Sequence, residues 1–116
     1  MDIKDVYDIF GGDYEGTVAR MCGEERVARF IPKFTKDPTY NELCDSMAAE
    51  DWETAFRASH TMKGVCANFG FTKLQQVSSD LCETLRPGSP NDDTLPLFEE
   101  VKKEYEIVID ALAMID

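Results

Sequence analysis

The sequence lacks several features that would place it in common classes of protein. Charged residues interrupt every apolar segment, so no run approaches the roughly 20 residues that a membrane-spanning helix needs. The four cysteines are widely spaced and form no Cys-x-x-Cys pair, and no basic-then-apolar leader is present at the N-terminus. We therefore expect a soluble protein with free thiols in a reducing cytoplasm.

Basic residues are also scarce. The 12 lysines and arginines stand against 23 aspartates and glutamates, which gives a formal net charge of -11. This charge repels phosphate backbones and anionic lipid surfaces, so neither nucleic acid nor a membrane is an expected partner. A chain of 116 residues with 43% hydrophobic residues fits a single domain, 1–116, with little room for an elaborate cleft.

Apolar residues recur at three- and four-residue spacing, and no stretch shows sustained alternation. The predicted fold is therefore all-α. Residues 1–23 are predicted to form two short N-terminal helices, the first ended by Gly11 and the second capped by Asp13. Residues 24–116 are predicted to form an antiparallel four-helix bundle, because amphipathic helices joined by short connections bury their apolar faces in that way.

Local signals predict where the longer helices begin and end. Pro32 is expected to kink or delimit the helix that begins at Glu24, and Asp37-Pro38 is expected to open the next one. Asp51 is predicted to cap a long helix that stops at Gly70.

Two further helices are predicted after Gly70. The segment Thr72-Lys-Leu-Gln75 has capping-box spacing and is predicted to begin a helix that ends before Pro87. The last helix is predicted over about Asp93 to Ile115, with Leu95 as the first residue of its apolar stripe.

The only histidine, His60, lies in the middle of the helix predicted from Asp51, at the edge of its apolar stripe. Lys63 and Gly64 follow one turn later, on either side of it. A neutral imidazole can attack phosphorus without a general base, and a neighbouring lysine can partly neutralise the phosphoryl charge. Glycine in mid-helix costs about 1 kcal/mol relative to alanine. We interpret Gly64 as clearing an approach for a partner's active site.

The sequence His60-Thr-Met-Lys63-Gly64-Val-Cys-Ala-Asn-Phe-Gly70 resembles the H-x-x-K-G-x-x-x-x-x-G signature of histidine-containing phosphotransfer (HPt) domains, and the likeness extends over roughly residues 24–86. The resemblance implies the same helical bundle, with His60 phosphorylated, Lys63 stabilising the phosphoryl group and Gly64 leaving clearance. It implies a phosphocarrier in a two-component phosphorelay, whose partners are response-regulator receiver domains and hybrid sensor histidine kinases.

The resemblance also implies how such partners are engaged. The acceptor aspartate and Mg²⁺ belong to the receiver domain, and the chain itself holds no cofactor and no metal. Arg57, Thr61 and Ala67 are predicted as residues that contact the receiver. Many family members place a polar side chain of the following helix beside the histidine ring, and Cys82 is the matching position here. Other candidates for that role lie nearby: Gln75, Gln76 and Ser78.

The chain is not predicted to be an enzyme. It has no glycine-rich phosphate loop and no recognisable nucleotide motif, so it is not expected to make phosphohistidine from ATP by itself. We expect it to receive the phosphoryl group from a donor protein. The helix from Asp51 to Phe69 balances two acidic with two basic residues in a strongly acidic chain. We hypothesise that this less negative face docks the acidic receiver site.

Other classes of function compete with this interpretation. A helical adaptor whose histidine motif is vestigial would need no phosphoryl chemistry. A carboxylate-bridged di-iron bundle needs Glu-x-x-His pairs, whereas Arg57 precedes His60 by three residues. A cysteine–histidine zinc site lacks the usual spacing. We expect a monomer, and the initial Met1 and the self-contained pattern favour a free-standing protein over an excised module of a larger kinase.

Overall fold

A computed structural model describes all residues 1–116 and contains seven α-helices and no β-strand. In chain order they are α1 (Ile3–Phe10), α2 (Tyr14–Met21), α3 (Glu24–Thr35), α4 (Thr39–Ala48), α5 (Trp52–Phe69), α6 (Thr72–Leu85) and α7 (Thr94–Leu112). Helix α5 packs on both α4 and α6, and α6 packs on α7. The prediction of an all-α, antiparallel four-helix bundle with additional short N-terminal helices is confirmed. No helix is both long and apolar enough to cross a bilayer.

Local capping chemistry sets several helix ends where the sequence predicts them. The Asp13 carboxylate accepts a hydrogen bond from the backbone N–H of Gly16 at 3.0 Å, and the Asp51 carboxylate accepts one from Thr54 at 3.2 Å. Helix α5 stops at Gly70, which has a φ of 72°. A Cβ added at Gly70 would lie 2.0 Å from a Thr17 oxygen, so both backbone conformation and space require glycine there.

Helix α3 continues beyond its proline. Pro32 lies inside the helix, which runs on to Thr35, so the proline does not delimit it. Burial of Ile31 and Phe34 offsets the missing backbone donor, since both side chains belong to the hydrophobic core. Tertiary packing thus overrides the local helix-breaking signal.

Two predictions about the later helices are wrong in detail. The capping box at Thr72 does not form, because Phe71 occupies the N-cap position and is fully buried, while the Thr72 hydroxyl donates to the Gly70 carbonyl at 3.4 Å. At the start of α7, Leu95 is 62% exposed and Thr94 is buried in its place. The Thr94 hydroxyl bonds to the Thr84 hydroxyl at 3.0 Å, which ties α7 to α6.

The N-terminal segment binds the carboxyl end of α5. Helices leave their last carbonyls without intrahelical partners, and such groups need donors from elsewhere. Here the donors come from residues 7–20: the Tyr7 hydroxyl binds the Phe69 carbonyl at 2.6 Å, the Asp13 N–H binds Gly70 at 2.8 Å, and the Arg20 guanidinium binds Ala67 at 3.0 Å and Asn68 at 3.3 Å. The first two helices therefore anchor the helix that carries the only histidine.

Candidate functional site

His60 lies in the middle of α5 with its side chain exposed. Its neighbours Ser59 and Met62 point into the protein and are buried, which fixes the rotation of the helix about its axis. His60 makes no side-chain hydrogen bond to another residue, and its ring lies beside Phe56, one turn earlier, with centroids 6.4 Å apart and planes inclined by 28°. The imidazole is thus held on a rigid helix face and open to solvent.

Lys63 and Gly64 flank His60 one turn further along α5. Lys63 is half-buried and forms no salt bridge, so its ammonium group is available to a bound anion. A Cβ added at Gly64 would meet no heavy atom within 4 Å. Packing within the chain therefore does not require glycine at this position, although glycine weakens a helix interior. The space in front of Gly64, one turn from the imidazole, is therefore open.

Helix α6 contributes a charged pair to the surroundings of the imidazole. The Arg86 guanidinium donates to both carboxylate oxygens of Glu83, at 3.0 and 2.8 Å, and lies 5.2 Å from the centroid of the Phe56 ring. These hydrogen bonds lower the pKa of the Glu83 carboxyl and are the largest cause of its shift. The positive charges of Arg86 and Lys63 lower this pKa further. Glu83 is therefore an ionised neighbour of the site whose charge Arg86 largely balances.

Sequence reasoning did not find Glu83 and Arg86. Their spacing of three residues signals an ion pair on a helix surface. Nothing in the spacing tells which residues of α5 they approach, because that depends on how the two helices are rotated against each other.

The residues predicted beside the ring make no hydrogen bond to His60. The Gln76 amide is exposed and donates to Asp80 at 2.9 Å. Cys82 is fully buried, and its sulfur lies 4.0 Å from the Phe56 carbonyl oxygen. The other two named candidates are less exposed than Gln76: Gln75 is half-buried, and Ser78 is fully buried with an unpartnered hydroxyl.

The predicted docking residues lie at different depths on α5. Arg57 and Thr61 are exposed on the turns flanking His60, and Arg57 lies 3.6 Å from Glu53 in a salt bridge. Ala67 is half-buried, and its carbonyl is bound by Arg20. Two of the three positions are thus open to a partner that covers the histidine.

No group of three or more histidine, cysteine, aspartate or glutamate side chains is placed to hold a metal ion. All four cysteines are free thiols, and burial raises the pKa of the Cys66 thiol to about 12. At neutral pH Cys66 is protonated and behaves as a small apolar core residue.

Comparison with known proteins places the chain in a family. The sequence profile of the family described as Hpt domain matches residues 37–112. The chemotaxis protein CheA of Salmonella typhimurium (strain LT2) is 31% identical over 116 residues, an alignment that covers 96% of this chain and 15% of that protein. No solved structure matches significantly. The chain belongs to the Hpt domain family, and its role is that of a phosphotransfer domain. It spans about one seventh of the curated relative's length.

Proposed function

We propose that the protein accepts a phosphoryl group on His60 and relays it between the aspartates of receiver domains in a two-component phosphorelay. The observation that carries the proposal is the combination on α5 of an exposed imidazole, an unpaired lysine and empty space in front of Gly64. Membership of the Hpt domain family supports it, since Hpt domains interact with kinases and receiver domains in general.

The transfer is an exchange of one bond for another. A ring nitrogen of His60 attacks the phosphorus of a partner's aspartyl phosphate, so the nitrogen–phosphorus bond forms as the bond from phosphorus to the carboxylate oxygen breaks. In-line placement of nitrogen, phosphorus and oxygen provides most of the catalysis, and a rigid helix face is suited to that task. The reverse reaction passes the group to a second aspartate.

The residues around His60 have separate roles in this proposal. Lys63 compensates the negative charge of the phosphoryl group by a charge-assisted hydrogen bond. Gly64 leaves room for the wall of the partner's active site. Arg86 holds Glu83 in an ion pair, which limits the repulsion between that carboxylate and the phosphoryl group.

We further propose that the chain is a phosphocarrier and not a kinase, and that it depends on a donor protein for phosphohistidine. Mg²⁺ would be bound by the receiver domain, where it neutralises charge on the transferred group. A monomer suffices for this function, because a single chain supplies His60, Lys63 and Gly64.

The test is phosphoryl transfer from a radiolabelled phospho-receiver in the presence of Mg²⁺ to the wild type and to the His60→Gln variant. Circular dichroism should show unchanged helix content in the variant, because the side chain of His60 is exposed and makes no hydrogen bond. We expect acid-labile label on the wild type only. Label that persists on the variant would mean that another residue is phosphorylated, and absence of label with several receivers would favour the non-catalytic adaptor.

A further inference from the structure

A surface groove with a volume of about 440 Å³ lies where α2, α3 and α5 meet. Its apolar floor consists of Phe30, Val65 and Phe69, and its basic rim consists of Arg20, Arg26 and Lys33. Helices α2 and α3 precede residue 37, where the match to the Hpt domain family begins. Two of the three walls of this α2–α3–α5 groove thus come from outside the family match.

The rim is positive in a chain whose net charge is -11. None of the three rim cations forms a salt bridge. Lys33 lies over the Phe30 ring, with its nitrogen 4.7 Å from the centroid, and Asp37 is the acidic residue among those lining the groove. Cations without a carboxylate partner around an apolar floor favour a ligand that combines carboxylates with an apolar side chain.

One row of residues on α5 links the groove to the histidine. His60, Gly64 and Asn68 occupy successive positions of one row on α5, and Asn68 lines the groove. By helix geometry Asn68 lies about 12 Å along the axis from His60 and about 80° around it. The open space in front of Gly64 lies between them. A protein seated over His60 can therefore extend a segment into the groove without crossing a ridge of side chains at Gly64.

We propose that the α2–α3–α5 groove binds an acidic peptide segment of a partner protein, with an apolar side chain on the floor and carboxylates at Arg26 and Lys33. This inference adds a site of partner selection to the proposed function, although binding at the groove does not require chemistry at His60. A free phosphate ion fits less well, because it would leave the apolar floor uncovered and because Arg20 is already bound to carbonyls of α5.

The probe is a blocked pentapeptide, acetyl-Asp-Glu-Phe-Glu-Asp-amide, titrated into the ¹⁵N-labelled full chain and followed by amide chemical shifts. We expect millimolar affinity that weakens with salt, with the largest shifts at Cys22 and Asn68, which line the groove. The variant Arg26→Glu/Lys33→Glu should bind about tenfold more weakly.

A matched control uses Arg29, which lies on α3, and Lys36, which directly follows that helix. Arg29 and Lys36 are exposed and do not line the groove, so Arg29→Glu/Lys36→Glu makes the same change in net charge away from the site. The control variant and His60→Gln should bind like the wild type. An equal loss of peptide affinity in both double variants would show that only net charge matters, which would overturn the proposal. Peptide-induced amide shifts outside the groove would also overturn it, as would the same shifts on addition of inorganic phosphate.

The proposal for the groove and the proposal for His60 can be refuted separately. A small-molecule donor such as phosphoramidate needs no docking surface, so it should phosphorylate His60 equally in the wild type and in Arg26→Glu/Lys33→Glu. Peptide binding without phosphorylation would refute only the proposed phosphoryl transfer through His60. Phosphorylation without peptide binding would refute only the proposed peptide site in the groove.

Discussion

Replacing Gly64 with alanine is expected to stabilise the protein while it impairs phosphoryl transfer. Gly64 has no positive φ, and its added Cβ would meet nothing within 4 Å, so the chain can accept the methyl group without strain. Alanine is favoured over glycine in a helix interior by about 0.5–1 kcal/mol. For a domain of this size that corresponds to a rise in Tm of about 2–6 °C.

The loss of transfer has a different origin. In the complex the same methyl group would enter a close interface, where an added carbon costs about 1–3 kcal/mol. That range corresponds to a fall of about 5- to 150-fold in kcat/KM for transfer. Gly64→Leu should lower transfer further, whereas Ala28→Leu adds similar bulk at an exposed position of α3 and should not.

Two measurements decide this prediction: thermal unfolding by circular dichroism, and quenched-flow transfer from a phospho-receiver. A lower Tm for Gly64→Ala would show that the backbone itself needs glycine there. Transfer at the wild-type rate in both Gly64→Ala and Gly64→Leu would refute the proposed clearance.

Other side chains yield predictions on chemistry and stability. Lys63→Ala should slow transfer about tenfold in the same assay, and Lys63→Arg should restore most of the rate, because the proposed contribution is a charge-assisted hydrogen bond. Burial raises the pKa of Tyr7 from 10.0 to about 12, so the unfolded chain loses this proton first and stability should fall between about pH 10 and 12. Tyr7→Phe, which loses the hydrogen bond to Phe69, should cost about 1 kcal/mol and flatten that dependence in urea unfolding at several pH values. A thiol reagent such as DTNB at about pH 8 should label exposed Cys22 rapidly and Cys66 only after unfolding, so rapid labelling of native Cys66 would contradict its burial.

Helix ends were predictable where the signal is local. Asp51 accepts a hydrogen bond three residues along the chain, and Gly70 adopts a left-handed conformation that its neighbours cannot adopt cheaply. The prediction failed at Thr72 because the adjoining Phe71 is drawn into the aromatic core and takes the N-cap position. It failed at Leu95 because the hydroxyl of the preceding threonine finds a partner on α6.

The candidate site likewise has a part that the sequence predicts and a part that it does not. His60, Lys63 and Gly64 lie on one helix, so helical spacing alone places them together. Glu83 and Arg86 reach the site from α6, and the α2–α3–α5 groove needs three helices to meet. These features depend on packing angles between helices, which periodicity in a single sequence does not specify.

The hydrogen bonds from residues 7–20 to the carbonyls at the end of α5 also bear on how the molecule opens. The last turn of a helix ordinarily frays on its own, with rapid exchange of its amide protons. Here fraying would have to break the contacts of Tyr7, Asp13 and Arg20 as well. Slow hydrogen exchange at the end of α5 should therefore depend on the docking of α1 and α2. A fragment that begins at residue 37, where the family match begins, would keep the histidine motif. It would lose the three contacts that hold the end of the helix carrying that motif.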